Sequence, residues 1–134
     1  MAATFHLQIV TPDKPVFDGM AEKLIVRTVT GDVCILARHI DYAAALGIGE
    51  AKVTDENGKT RIAACNGGLI SVADGQARVM ATTFEWADEI DAERARHALE
   101  ASQEAMNKTN PADAHYAALE AKLKRALLRI HVVE

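Results

Sequence analysis

This chain has no long apolar run, no glycine-rich phosphate loop and no concentrated basic surface, and each absence removes a class of function. No apolar stretch approaches the roughly 18 residues of a membrane span, and Met1–His6 lacks the layout of a signal peptide. The expectation is a chain on the cytoplasmic side with no direct membrane insertion. Neither GxxxxGK[ST], GxSxG nor HExxH occurs. The five histidines are scattered, none at a ligand spacing from Cys, Asp or Glu, so no metal is expected. The acid pairs Asp55-Glu56 and Asp88-Glu89 fall on predicted loops as solvated turn residues, and no catalytic site is expected. Only two cysteines occur, Cys34 and Cys65. Each sits in a predicted strand among apolar neighbours, which predicts two reduced, buried thiols. After Ile90 the chain holds seven residues of each charge sign, so the net charge of −4 resides on the part before it. An acidic body excludes nucleic acid, whose phosphates need clustered cations.

Glycine is also absent from Asp91 to Arg129, where alanine dominates and apolar residues recur every three to four positions. Before Thr83 the pattern is different: short alternating apolar runs punctuated by glycine and proline. Phe5, Leu7 and Ile9 share one face of a first strand. Turn signals at Asp18-Gly19, Gly31-Asp32, Asp55-Glu56-Asn57-Gly58, Gly67-Gly68 and Asp74-Gly75 divide the rest. Nine or ten short strands on this spacing predict a sandwich or a flattened barrel.

The tail reads as two helices. Asp91 has the chemistry of an N-cap, since its carboxylate accepts free amides of the opening turn. Ala95, Ala98, Leu99, Ala105 and Met106 follow at helical spacing, and Asn110-Pro111 signals a restart. Tyr116, Leu119, Leu123, Ala126, Leu127 and Ile130 form the second stripe. So short an interruption predicts an antiparallel hairpin. Alanine buries little area, so the closed hairpin gains little over the entropy of ordering it and opens at modest cost. Lys122, Arg125 and Arg129 share one face of the second helix. A basic last turn complements the helix dipole by itself. A closed hairpin would also bring Arg94 towards that face, where an anion would relieve the repulsion. Arginine forks suit a phosphate chain, with Ile90 and Ala95 as an apolar ledge for a base.

Several segments together resemble a known family, the epsilon subunit of the bacterial F-type ATP synthase. They are Phe5-His6-Leu7-Gln8-Ile9-Val10-Thr11-Pro12, Val16-Phe17-Asp18-Gly19, Gly31-Asp32, the His39 loop, Asn66-Gly67-Gly68 and Ile90-Asp91-Ala92-Glu93-Arg94-Ala95. The resemblance implies an α+β protein of two segregated parts. Residues 1–87 would form a ten-stranded β-sandwich that binds the gamma subunit and the ring of c subunits. Residues 88–134 would form the regulatory helical hairpin. Asp32 and His39 fall at family positions for the ring contact. The resemblance further implies a non-catalytic rotor subunit, peripheral on the cytoplasmic face of the bacterial plasma membrane. Its hairpin would switch between a compact form and an extended form that reaches into the alpha/beta catalytic hexamer and hinders hydrolysis.

In some family members the compact form binds ATP as a regulatory ligand, and no cofactor is required. The corresponding residues here are Glu85, Ile90, Asp91, Arg94, Ala95, Arg125 and Arg129. The chain departs from that pattern at Ala101, where the ATP-binding members carry another arginine, and at Asp41-Tyr42-Ala43-Ala44-Ala45, where a proline-containing stretch is usual. The alternative is a hairpin that binds only protein, with Asp91 a plain N-cap.

Overall fold

A computed structural model describes residues 3–133. The chain divides into two compact units, Met1–Trp86 and Ala87–Glu134. Among its described residues the first contains seven strands: β1 (Phe5–Val10), β2 (Pro15–Thr28), β3 (Gly31–Leu36), β4 (Tyr42–Ala45), β5 (Ile48–Asp55), β6 (Thr60–Ala73) and β7 (Gln76–Trp86). Hydrogen bonding runs β1-β7-β6-β5-β2-β3, and β1 also pairs with β2. Five strands therefore close on themselves as a flattened sandwich, with β3 attached to β2 and β4 attached to β6. The β1–β7 pairing is parallel and all the others are antiparallel.

Seven strands replace the nine or ten expected from the turn spacing, chiefly because two predicted turns are not turns. Asp18-Gly19 lies inside the 14-residue β2, which pairs first with β1 and then with β3 and β5. Gly67-Gly68 lies inside the 14-residue β6, which passes from β5 to β4 while β7 follows it from Ala63 to Ala73. Positive φ at Gly67 (66°) and Gly68 (113°) lets β6 bend without leaving the ladder. The Asp55–Gly58 signal does make a hairpin: Asp55 Oδ1 accepts from Asn57 N and Lys59 N, and Gly58 adopts φ 82°.

Strand alternation fills the interior. Leu7, Ile9, Leu24, Val26, Ile35, Val53, Ile70 and Val79 are its fully buried large side chains. Phe84 and Trp86 pack edge to face at 5.1 Å, and Phe17 meets Trp86 at 6.5 Å. At the β2–β3 turn Val29 is exposed and Thr28 is the inward residue, its hydroxyl donating to the Gly31 carbonyl at 2.7 Å. One residue read as buried is not. Cys34 is exposed on β3, because Ile35 takes the inward position. Cys65 is buried, and desolvation pushes its thiol up to about 12, which leaves it inert.

The second unit holds a short 3-10 turn (Ala87–Glu89), α1 (Ala92–Asn107) and α2 (Tyr116–Val133). The expected restart at Asn110-Pro111 gives only turns. Asn110 Oδ1 accepts from Ala112 N and Asp113 Oδ1 from His115 N, so two side-chain-closed turns precede α2. α1 and α2 pack together, and the buried helical positions are Ala95, Ser102, Ala126 and Val132. Ser102 returns its hydroxyl to the Ala98 carbonyl at 2.8 Å, so it adds no bond across the seam. Leu99, Leu123 and Ile130 are only half-covered and Leu127 is exposed.

Candidate functional site

On the hairpin, Ile90, Asp91, Arg94 and Ala95 occupy one short stretch at the start of α1. Asp91 has extended backbone angles (φ −76°, ψ 107°) and takes the cap position ahead of the first helical residue, Ala92. Its Oδ1 accepts from Glu93 N at 3.1 Å and Arg94 N at 3.2 Å, while its main-chain oxygen accepts from Ala95 N at 2.9 Å. The negative charge also sits at the positive end of the helix dipole. Asp91→Ala is expected to cost about 1 kcal/mol of local stability. Faster amide exchange confined to Glu93 and Arg94 would register it.

The motif sorts by polarity. Ile90 and Ala95 are buried, whereas Asp91 and Arg94 are exposed. The expected apolar ledge is therefore covered, and what the surface presents here is a carboxylate and a guanidinium. Arg125 and Arg129 lie one turn apart on α2, both half-buried, and Lys122 is exposed. An antiparallel hairpin puts this half of α2 at the same end as the start of α1. Glu85 belongs to the other unit, half-buried on β7 opposite Ala64.

The two residues assigned to a ring contact lie towards opposite ends of β3: Asp32 is its second residue, His39 follows its end, and about 13 Å of strand separates Asp32 from Leu36. Asp32 lies directly across the ladder from Arg27, which donates from Nε to Oδ1 at 2.6 Å and from Nη2 to Oδ2 at 3.5 Å. This hydrogen bond, reinforced by the carboxylate's charge, raises the arginine pKa further above its ordinary value. Sequence reasoning missed Arg27. Its signal is a pair of opposite charges flanking a turn, Arg27-Thr28-Val29-Thr30-Gly31-Asp32.

His39 is half-buried in a turn closed by its own N–H on the Leu36 carbonyl (3.2 Å). Arg38 supplies a positive φ of 65°. The His39 Nδ1 lies 2.7 Å from the Ile40 carbonyl, which only accepts, so the proton is on Nδ1 and Nε2 is the acceptor of the neutral ring. The ring stands edge-on to Tyr42 at 5.9 Å, and Ile40 projects beside it, 78% exposed. Among the described residues no group of three or more His, Cys, Asp or Glu is arranged to hold a metal ion. Among the described residues no helix is long and apolar enough to cross a membrane.

Comparison with known proteins agrees with this architecture. The family described as ATP synthase, Delta/Epsilon chain, beta-sandwich domain matches residues 4–87, and the long alpha-helix domain of the same family matches residues 88–134. The chain is 36% identical over 129 residues to the ATP synthase epsilon chain of Bacillus pumilus, covering 96% of each. It is 37% identical over 131 residues to that of Ruminococcus albus, covering 97% of this chain and 96% of the relative. A chain in the Euglena gracilis mitochondrial ATP synthase superposes with a TM-score of 0.86 at 23% identity, covering all of this chain and 84% of that one. The fold is thus shared well beyond sequence likeness. With both domains matched in order and bacterial epsilon chains aligned along nearly the whole length, the chain belongs to the ATP synthase delta/epsilon family, as a member of its epsilon type.

Proposed function

We propose that this chain is a rotor subunit that couples gamma to the c-ring and restrains ATP hydrolysis through an ATP-sensitive hairpin. As an epsilon-type chain it is a stalk subunit and not the catalytic one. Its place would be peripheral, on the cytoplasmic face of the bacterial plasma membrane. The β unit would hold gamma and rest on the ring through Asp32 and His39. The extended hairpin would enter the alpha/beta hexamer.

The observation that carries the regulatory part is the composition of the hairpin seam. Its buried helical positions are two alanines, a serine and a valine. Burial of so little apolar area stabilises the closed form weakly. A ligand that binds only the closed form adds RT ln(1 + [L]/Kd), about 2.7 kcal/mol at a hundredfold excess. A term of that size dominates an equilibrium poised near balance. ATP would supply it by laying its phosphates among Arg94, Arg125 and Arg129, with Asp91 as a hydrogen-bond acceptor. Asp91 has Oδ2 to offer, because both cap bonds use Oδ1. High ATP would keep the hairpin compact, and low ATP would release the brake element.

The reading in which the hairpin binds only protein has its own support. The cap bonds account for Asp91, and burial accounts for Ile90 and Ala95. Calorimetric titration with ATP separates the two. Arg94→Ala with Arg125→Ala is expected to weaken binding at least a hundredfold, two charge-assisted contacts at about 1.5–3 kcal/mol each. Equal affinity in the double variant refutes the assigned site. No binding to the parent chain at millimolar ATP establishes the protein-only hairpin.

A further inference from the structure

The Arg27–Asp32 pair changes what this corner of the β unit is able to bind. A lone carboxylate attracts a lysine or arginine from a partner. Here the carboxylate already has a guanidinium directly opposite, and both side chains remain about half exposed, 52% and 55%. A partner's cation approaching Asp32 would meet Arg27 at nearly the same distance, so attraction and repulsion largely cancel. What the pair does offer is hydrogen bonding in both senses. Nη1 has no hydrogen committed to Asp32, and Oδ2 is held only by the long 3.5 Å bond.

The arginine is also held from below. A Cβ added at Gly49 would fall 2.2 Å from Arg27 Cβ and 2.6 Å from its Cγ. The stem therefore fills the space that the absent side chain of Gly49 leaves on β5. On the other side of β2 the fork meets Asp32.

We propose that Arg27 is a positioning and specificity residue that neutralises Asp32, so that this corner binds an amide group of its partner, main-chain or Asn/Gln, and not a cationic side chain. An amide carries a donor and an acceptor side by side, which matches a surface presenting an acceptor and a donor side by side. The inference rests on the reading that Asp32 faces the c-ring, and it adds to that reading the chemistry of the contacted group.

The test is binding of the full chain to the gamma–c-ring complex of its own ATP synthase, by interferometry at low and high sodium chloride. Asp32→Asn is expected to weaken binding about tenfold. Arg27→Met keeps the stem but leaves a bare carboxylate. It is expected to weaken binding about tenfold and to steepen the salt dependence relative to the parent chain, because a bare charge feels the charged groups of the partner, through screening by salt, where a neutral pair does not. Arg27→Lys keeps the neutral balance without the fork, so it is expected to weaken binding while retaining the parent's salt response. If Arg27→Met matches the parent in affinity and salt response while Asp32→Asn weakens, the role of Arg27 is overturned and the ring contact stands. If Asp32→Asn binds like the parent, the ring contact itself is wrong and the inference falls with it.

Discussion

Gly68→Ala is expected to destabilise the β unit strongly. A Cβ at this position would lie 2.0 Å from the Met80 carbonyl oxygen and 2.8 Å from the Ala81 Cα. Both are backbone atoms of β7, paired to β6 along its whole length, so neither yields as a side chain would. The residue also sits at φ 113°, a conformation that costs any L side chain about 1–3 kcal/mol. Overpacking against an immovable strand adds about 1–3 kcal/mol or more. Together these take about 2–6 kcal/mol or more from a typical total of about 5–15. For a unit of this size the melting midpoint should fall by at least about 10 °C in a calorimetric scan. Gly58→Ala is the control, since Gly58 also has positive φ (82°) but nothing within 4 Å of its added Cβ. It should cost only about 1 kcal/mol. Equal losses at the two sites would show that backbone conformation, and not the close crossing of β6 on β7, makes Gly68 necessary.

Ala126→Glu is expected to open the hairpin while leaving the β unit folded. Ala126 is 5% exposed and is one of the four buried helical positions in the hairpin. A glutamate placed there overfills a closely packed position and takes a carboxylate out of water, a cost of about 3 kcal/mol or more. So small a seam does not absorb that, and the open form should gain roughly a hundredfold in population. Spin labels at the exposed positions Gln103 and Ala118 should change from a short, narrow distance distribution to a long, broad one. The neighbouring Leu127 is 46% exposed, so Leu127→Glu should leave the distances unchanged. The β unit, a separate compact unit, should keep its melting midpoint in both variants. An unaltered narrow distribution in Ala126→Glu would mean that the alanine seam is not what closes the hairpin.

Local signals were readable where a single residue type has one mechanical use. Asp91 caps α1 because a carboxylate ahead of free amides has little else to do. Phe5, Leu7 and Ile9 point inward because strand side chains alternate. Asp55–Gly58 turns because Asp55 can accept two amides and Gly58 can adopt positive φ. The same signals misled at Asp18-Gly19 and Gly67-Gly68. A glycine permits a turn and a bend equally, and only pairing partners on either side decide between them. Asn110-Pro111 misled likewise, since cap and proline were spent on turns before α2 began.

The site residues divide along the same line. The stretch from Ile90 to Ala95 was legible because its members are adjacent, and adjacency survives any tertiary arrangement. Alternating runs, caps and the loss of glycine after the strands are local, and they determined a β body followed by two helices. Arg27 was not legible as a partner of Asp32, because opposition across a ladder depends on register, and register depends on a turn whose length sequence leaves open. The closure of five strands through β1–β2 and β1–β7, the exposure of Cys34 and the burial of Ala95 were likewise decided only by the tertiary structure. They depend on which surfaces meet across long stretches of chain, and no local preference carries that information.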